Sequence, residues 1–433
     1  MTGRRGRDFL ESSRRAASAK QGDIMRKLFA ALLAAAAATA QPHLFHNPQR
    51  VPPRSFPIMA WGAAPSDVDQ LKLMKEAGLN VAGFCRVEDI AKIHEAGLAC
   101  FVSDKRVNGY DWNSLPSEQE LRRNLAEILR QTRDNPAVLG FYLRDEPHAS
   151  LLPALGRVSR LLKELAPGKW PYVNLFPYRV SRDRIGTDYE SYAKMLVQTI
   201  GQPFLTYDNY SLVGGEMLDY FYNNLDIIRK ISLDTNTPFW NCILANAHFN
   251  YMEPSDATFN LQVYATLAYG GRGIQYFTYY SPHNGNYRLG AIDQFGNKTA
   301  TWDALRRINL QIHALAPTLL KLTSTGVYHF PDVPEYSKPL AQSRLVRAVT
   351  MTQRYVKPPV QGRFLIGEFE DSEKRPYFMI VNKDLNNSFQ FAIELRQPGR
   401  KLIRICNYSG REEEFGREMD WLAPGAGILF RIE

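Results

Sequence analysis

Two adjacent carboxylates, Asp145 and Glu146, end an apolar run that begins Val138-Leu139-Gly140-Phe141-Tyr142-Leu143-Arg144, and Pro147 and His148 follow them. A run of this kind reads as a buried strand that delivers an acid to the end of a sheet. Side chains alternate between the two faces of a strand, so Leu139, Phe141 and Leu143 share the face that covering helices would bury. Gly140, Tyr142, Arg144 and Glu146 share the other. Glu146 is then expected to point inward at the strand's C-terminal end, with Arg144 one step deeper and Asp145 pointing outward. An ion pair with Arg144 is the competing role for Glu146, and a helix N-cap or loop anchor competes with a substrate-binding role for Asp145.

The same parity places Asn174 inward in Pro171-Tyr172-Val173-Asn174-Leu175, and Thr206 and Asp208 inward in Phe204-Leu205-Thr206-Tyr207-Asp208. Asp208 is thus a second acid. Two carboxyls across one mouth suit cleavage of an acetal, because one must protonate the departing oxygen while the other activates water or stabilises the cationic carbon. Aromatics gather at the same strand ends: Trp61, Tyr142, Tyr207, Tyr210, Tyr251, Tyr279 and Tyr280. Such rings stack on the C–H faces of sugars, and tyrosine hydroxyls bond to sugar oxygens. Individually each reads as core; clustered at one end they favour a site. Asn246 and His248 close the seventh strand, which supplies no carboxylate of its own, and Glu253 on the loop beyond is the reserve nucleophile, with a simple turn at Glu253-Pro254 as the alternative.

The elements that would hold these groups alternate regularly. Strand candidates are 56–61, 81–85, 99–103, 138–143, 172–176, 204–208, 239–245 and 273–279, with helical patterns at 67–77, 87–96, 117–133, 151–165, 189–200, 217–233, 257–269 and 301–322. Eight βα units over residues 55–322 predict an α/β fold, a (β/α)₈ TIM barrel of the usual ~250-residue size, with active-site residues at the strands' C-terminal ends. An open doubly wound sheet competes, but Trp61-Gly62-Ala63-Ala64-Pro65 after the first strand is no phosphate-binding fingerprint. From residue 323 to 433 short alternating runs replace the helices and predict a C-terminal antiparallel β-sandwich.

Composition narrows the class further. The 433-residue chain has a formal charge of +9, of which residues 1–27 supply more than half, and no basic cluster interleaved with aromatics argues for nucleic acid. Met25-Arg26-Lys27, an apolar stretch and Ala38-Thr39-Ala40 match a signal peptide spanning Met25 to Ala40, which predicts a secreted or periplasmic protein. Residues 1–40 form the leader and 41–54 a linker; no segment reaches the ~20 apolar residues of a membrane span. The four cysteines lack metal-ligand spacing, and neither His148 nor His248 has a ligand partner, so no metal and no cofactor is expected. There is no Ser or Cys nucleophile elbow. Nothing in the sequence settles oligomeric state.

With these residues in place, the chain resembles the retaining glycoside hydrolases of clan A, the barrel superfamily that includes the family forty-two β-galactosidases. The likeness runs over about 55–433 and rests on Gly140-Phe-Tyr-Leu-Arg-Asp-Glu-Pro147, on 259–279, on Ile292-Asp-Gln-Phe-Gly-Asn297 and on the closing β-sandwich. It implies a carbohydrate substrate and Glu146 as the strand-four acid/base. Two departures stand out: that clan has Asn where this chain has Asp145, and a nucleophilic Glu at the strand-seven end where this chain has none. Tyr207-Asp208 is similar to the strand-six Tyr-Asp of the chitinase-like family eighteen enzymes, which use the substrate's own acetamido group, although Leu143 and Arg144 stand where that family has further aspartates. The expected function is exported cleavage of O-glycosidic bonds in an oligo- or polysaccharide; the alternative is a barrel that binds carbohydrate without cleaving it.

Overall fold

The computed structural model describes residues 56–353, 360–416 and 419–433; the leader, the signal segment and the linker up to residue 54 lie outside them. Eight parallel strands, β1 (Ile58–Ala60), β2 (Val81–Cys85), β3 (Ala99–Val102), β4 (Val138–Asp145), β5 (Trp170–Asn174), β6 (Leu205–Asp208), β7 (Phe239–Leu244) and β8 (Gly273–Phe277), pair in the order β5-β4-β3-β2-β1-β8-β7-β6. The ends of that order meet. Leu175, one residue past β5, pairs with Tyr207, its N–H donating to the Thr206 carbonyl at 2.9 Å, and this closes a TIM barrel.

Eight main helices connect the strands: α1 (Val68–Glu76), α2 (Ile90–Glu95), α3 (Glu118–Thr132), α4 (Leu152–Leu165), α5 (Tyr189–Ile200), α6 (Tyr220–Thr235), α7 (Asp256–Ala268) and α8 (Ala300–Leu319). Their ends follow from local chemistry. Asp67, Ser117 and Ser255 cap α1, α3 and α7 with side-chain oxygens, each satisfying a backbone N–H that the first helical turn leaves unpaired. Gly78, at φ +82°, stops α1, and the Leu79 N–H then reaches back to the Met74 carbonyl at 3.1 Å. That six-to-one bond needs a left-handed residue between, which glycine supplies without a Cβ clash.

The barrel interior is filled largely by rings. Phe101 lies 4.9 Å from Tyr172 and 6.3 Å from Phe204, and Phe204 stacks on Trp240 at 3.7 Å. Side chains from different strands meet here because the barrel is a packed core. Gly273 makes room for the largest of them: a Cβ there would sit 2.5 Å from the Trp240 ring.

Beyond the barrel lie β9 (Thr323–Phe330), β10 (Val346–Thr352), β11 (Phe364–Glu370), β12 (Pro376–Asn382), β13 (Phe389–Leu395), β14 (Leu402–Ile405), β15 (Glu412–Glu414), β16 (Trp421–Leu422) and β17 (Gly427–Ile432). They form a sandwich. One sheet runs β9-β11-β12-β17-β14-β15, with Lys338–Pro339 added at its first edge, and the other runs β10-β13-β16. Strands β11 and β12 are buried on both faces and carry apolar side chains on each, as a sheet covered on both sides requires, with Glu368 the buried exception on β11. Phe364, Ile366, Phe378 and Ile380 pack between the two sheets, whereas Leu365, Phe369, Met379 and Val381 join the barrel's core.

Candidate active site

Strand β4 does not keep its alternation to the end. It pairs with β5 in register from Gly140 to Tyr142, then slips by one residue, so that Arg144 faces Val173 and Asp145 faces Asn174. Leu143 is the extra residue of a β-bulge, and a one-residue slip exchanges the faces of everything after it. The parity expectation is therefore corrected at two positions: Arg144 is exposed, and Asp145, expected to point outward, bonds to the inward-facing Asn174. Glu146 still reaches the mouth, by another route. Its N–H donates to the Asn174 carbonyl at 2.9 Å, and its φ of +43° turns the chain back over the barrel. A non-glycine residue in the left-handed region is uncommon and marks a local constraint.

Three carboxyls converge there. Asn174, completely buried at the end of β5, donates through Nδ2 to Asp208 Oδ1 at 2.8 Å and to Asp145 Oδ1 at 3.2 Å. Tyr210 donates to the same Asp208 oxygen at 3.1 Å, and Glu146 lies near enough to Asp208 for the two carboxyls to perturb each other's ionisation. Adjacent strands lie ~4.8 Å apart, so the backbones of β4 and β6 are about 9–10 Å from each other. The carboxyls of Glu146 and Asp208 reach into that gap near enough to interact electrostatically.

Burial, and the negative charges of Asp208 and Asp145 beside it, push the Glu146 carboxyl up to about 9. Burial and the neighbouring Asp208 push Asp145 up to about 7. Asp208 is also raised by burial, but the bonds from Asn174 and Tyr210 favour its ionised form. A carboxyl raised to about 9 keeps its proton at neutral pH, so Glu146 is a protonated member of the group, the usual outcome when carboxyls share a desolvated site.

Below the carboxyls a polar layer crosses the barrel. Thr206 bonds to Asn174 at 3.0 Å and to Gln275 at 3.1 Å, and Tyr172 donates to Gln275 at 2.8 Å. These contacts fix the amide of Asn174, which sets the direction of its donors toward both aspartates.

A belt of rings completes the mouth. Tyr142 lies 4.2 Å from Phe84, Phe84 5.4 Å from Trp61, Trp61 5.5 Å from Phe277 and Phe277 5.1 Å from Tyr210. His248 lies 5.6 Å from Phe277, and its Nδ1 is 2.9 Å from the Asn246 oxygen. Burial lowers its pKa and keeps the imidazole neutral. Beside Trp61 a cavity of about 500 Å³ opens between the loops after β1 and β8, lined by Gln70, Tyr280, Ser281 and Asp293 among others.

The structure thus brings Trp61, Tyr142, Asp145, Glu146, Asn174, Asp208, Tyr210, Asn246 and His248 to one end of the barrel. Tyr207 and Glu253 lie elsewhere, and Tyr279 lines the cavity beside Trp61 with its hydroxyl turned away toward α8. Tyr207 is completely buried on the outer face of β6 beside Phe239. Tyr279 is buried against α8, where its hydroxyl accepts from Trp302 at 3.0 Å. Glu253 is exposed and paired with Arg288 at 3.0 Å. Sequence reasoning passed over Phe84 and Phe277 as site residues, although both fall at inward positions near strand ends. It also passed over the interior thiol of Cys242, which stands 3.4 Å from the Tyr210 hydroxyl.

No protein-family model matches the sequence, and no curated protein matches it. Solved structures share its fold. A family 5 glycoside hydrolase from Bacteroides vulgatus is similar over 88% of this chain and 89% of its own, with 12% identity and a TM-score of 0.54. A second structure, described as a glycoside hydrolase, is similar over 88% of this chain and 92% of its own, with 10% identity and a TM-score of 0.54. A β-galactosidase from the psychrophilic Marinomonas ef1 is similar with 12% identity and a TM-score of 0.48, and the match covers 62% of each chain. The chain spans about six-tenths of the length of that β-galactosidase and of the one from Halorubrum lacusprofundi.

Proposed function

We propose that the chain is an exported glycoside hydrolase that cleaves O-glycosidic bonds of an oligo- or polysaccharide, with Glu146 as general acid and Asp208 as its partner. The observation that carries this reading is the convergence of Asp145, Glu146 and Asp208 inside an aromatic mouth, where Asn174 bonds both aspartates and burial pushes Glu146 up to about 9. Cleavage needs an acid still protonated at neutral pH, and burial beside a second carboxylate supplies one. Glu146 would give its proton to the departing oxygen as the C–O bond breaks, leaving positive charge at the anomeric carbon.

Asp208 is buried and already accepts from Asn174 and Tyr210 through one oxygen, whereas Asp145 is only partly buried. Asp208 therefore serves Glu146, and the carboxylate left to face the cationic carbon or a water is Asp145. Both glycoside hydrolases that match most of the chain's length support the class of reaction through fold alone. Export through the segment from Met25 to Ala40 belongs to the same proposal, and N-terminal sequencing of the secreted protein, expected to begin at Gln41, tests it.

A barrel that binds sugar without cleaving it has one observation in its favour: the inward positions of β7 and its sequel carry Cys242 and Asn246, and no acid. Screening the mature protein against nitrophenyl glycosides and plant or bacterial polysaccharides separates the two. Turnover that Glu146→Gln abolishes supports the hydrolase; polysaccharide binding without turnover of any substrate supports the binder and overturns it.

A further inference from the structure

The loops after β7 and β8 are zipped together above the mouth. Ala247 and Arg288 exchange both backbone hydrogen bonds, at 3.0 and 2.9 Å. Asn286 then clamps Phe249: its Oδ1 accepts from the Phe249 N–H at 2.7 Å and its Nδ2 donates to the Phe249 carbonyl at 2.9 Å. The clamped residue has a φ of +47°, and its side chain is 69% exposed. A loop selected only for stability would place glycine or asparagine at such a backbone and would keep a phenyl ring out of water. Here two clamping bonds hold a strained phenylalanine outward, a combination that marks use of the ring rather than of the turn.

The ring also belongs to a continuous series. Phe249 lies 6.4 Å from both Tyr251 and Tyr287, Tyr287 stacks on His248 at 4.5 Å and 10°, and Tyr251 lies 6.2 Å from Tyr210, the donor to Asp208. Leu289, at φ +57° and 39% exposed, extends the apolar rim on the facing loop.

We infer that Phe249, with Tyr287 beside it, is a distal sugar-binding platform that takes a further ring of a carbohydrate chain whose reacting bond lies at the Glu146–Asp208 pair. The inference rests on the hydrolase reading and sharpens its substrate class to a chain of several sugars. Phenylalanine offers no hydrogen bond, so the platform recognises the C–H face of a pyranose and discriminates by chain length rather than by hydroxyl pattern.

The test uses the full mature protein, as wild type, Phe249→Ala and Phe249→Trp. Each is run in native gels containing β-glucan, xylan, galactan or galactomannan, and assayed on a matched series from the nitrophenyl monoglycoside to the tetrasaccharide. In Phe249→Ala the ratio of kcat/KM for tetrasaccharide over monoglycoside is expected to fall about three- to tenfold, the worth of one stacked ring. Retardation by the polymer should weaken in parallel, and Phe249→Trp should restore both. Equal loss on the monoglycoside and the tetrasaccharide, or polymer retardation unchanged in Phe249→Ala, overturns the platform while leaving the hydrolase reading intact. Retardation that depends on Phe249 without turnover of any substrate keeps the platform and overturns the hydrolase.

Discussion

Two clusters of buried titratable groups, one at the barrel mouth and one at the seam between barrel and sandwich, are wired differently. At the seam, Asp226 accepts from Tyr269 at 3.1 Å and also from Ser337. His329 stands between the Tyr269 hydroxyl at 2.9 Å and Lys383 Nζ at 3.2 Å. Burial pushes Asp226 up to about 6, lowers Lys383 to about 8 and keeps His329 neutral. Acid, imidazole and amine are linked in one chain that ties α6 and the residue after α7 to β9 and to the turn after β12. At the mouth, three groups of one sign converge, with Asn174 and Tyr210 as the bonded donors and only the more distant Arg184 lowering the Glu146 pKa. Burial perturbs both clusters, so a shifted pKa alone does not distinguish a site. Like charge facing an open mouth does.

The sharpest way to break that comparison is to neutralise one member of each cluster. Glu146→Gln keeps the shape but carries no transferable proton, and turnover on any substrate found for the wild type should fall ~10²–10⁴-fold, the usual worth of a general acid. Lys383→Met, at the seam, should leave kcat within about twofold and lower the melting temperature. Steady-state kinetics and thermal unfolding of both variants decide it; similar kcat losses would mean that the two clusters are not functionally distinct.

A smaller effect is expected from Asp208→Asn. The Asp208 charge raises the Glu146 pKa, so its removal should draw the alkaline limb of the pH–activity profile down from about 9 toward the ordinary glutamate range. A limb that stays in place would show that another group controls it. Asn174→Ala should act on the opposite limb. The Asn174 bond favours the ionised form of Asp145, which lies near 7 with that bond in place. Its loss should move the acid limb upward and lower kcat/KM at pH 6 by about tenfold, the worth of a hydrogen bond to a charged group. An unchanged acid limb would detach Asp145 from the reaction.

The barrel was legible because each of its eight units carries both periods, a short apolar run followed by a helical stripe ending in a stop. Glu146 and Asp208 were legible because a carboxylate directly after such a run has few structural uses. Face assignment failed where the strand stopped being regular. The bulge at Leu143 exchanged Arg144 and Asp145, and no residue type in Tyr142-Leu143-Arg144 announces a bulge. After Phe277 the chain leaves the sheet, so Tyr279 turns toward Trp302 instead of continuing the inward set. In the sandwich, β9 and β10 went unread: β9 begins Thr-Ser-Thr-Gly with little apolar content, and β10 is half-exposed along most of its length. The seam cluster was invisible for a different reason. Asp226, His329 and Lys383 are far apart in sequence, and only the packing of α7 and its neighbours against the sandwich brings them together.

The smallest expected effect separates the clusters by the sign of their pH dependence. A group whose folded pKa lies above its unfolded value keeps its proton in the native state after the unfolded chain has lost it, so stability falls as pH rises between the two. For Glu146 that window runs from the ordinary 4.5 to about 9. Lys383 has the opposite sign: from about 8 to the ordinary 10.5 the unfolded chain binds the proton and the native state does not, so stability rises with pH across that window. Glu146→Gln should therefore gain melting temperature over wild type by a growing margin from pH 5 to pH 8, as a substitution that relieves a functional strain does. Lys383→Met should flatten the wild-type dependence only above about pH 8. The measurement is the melting temperature of the three proteins at one-unit steps from pH 4 to pH 10. A Glu146→Gln margin that stays constant with pH would mean that the carboxyl does not enter the native state protonated, and its role as general acid would be lost with it.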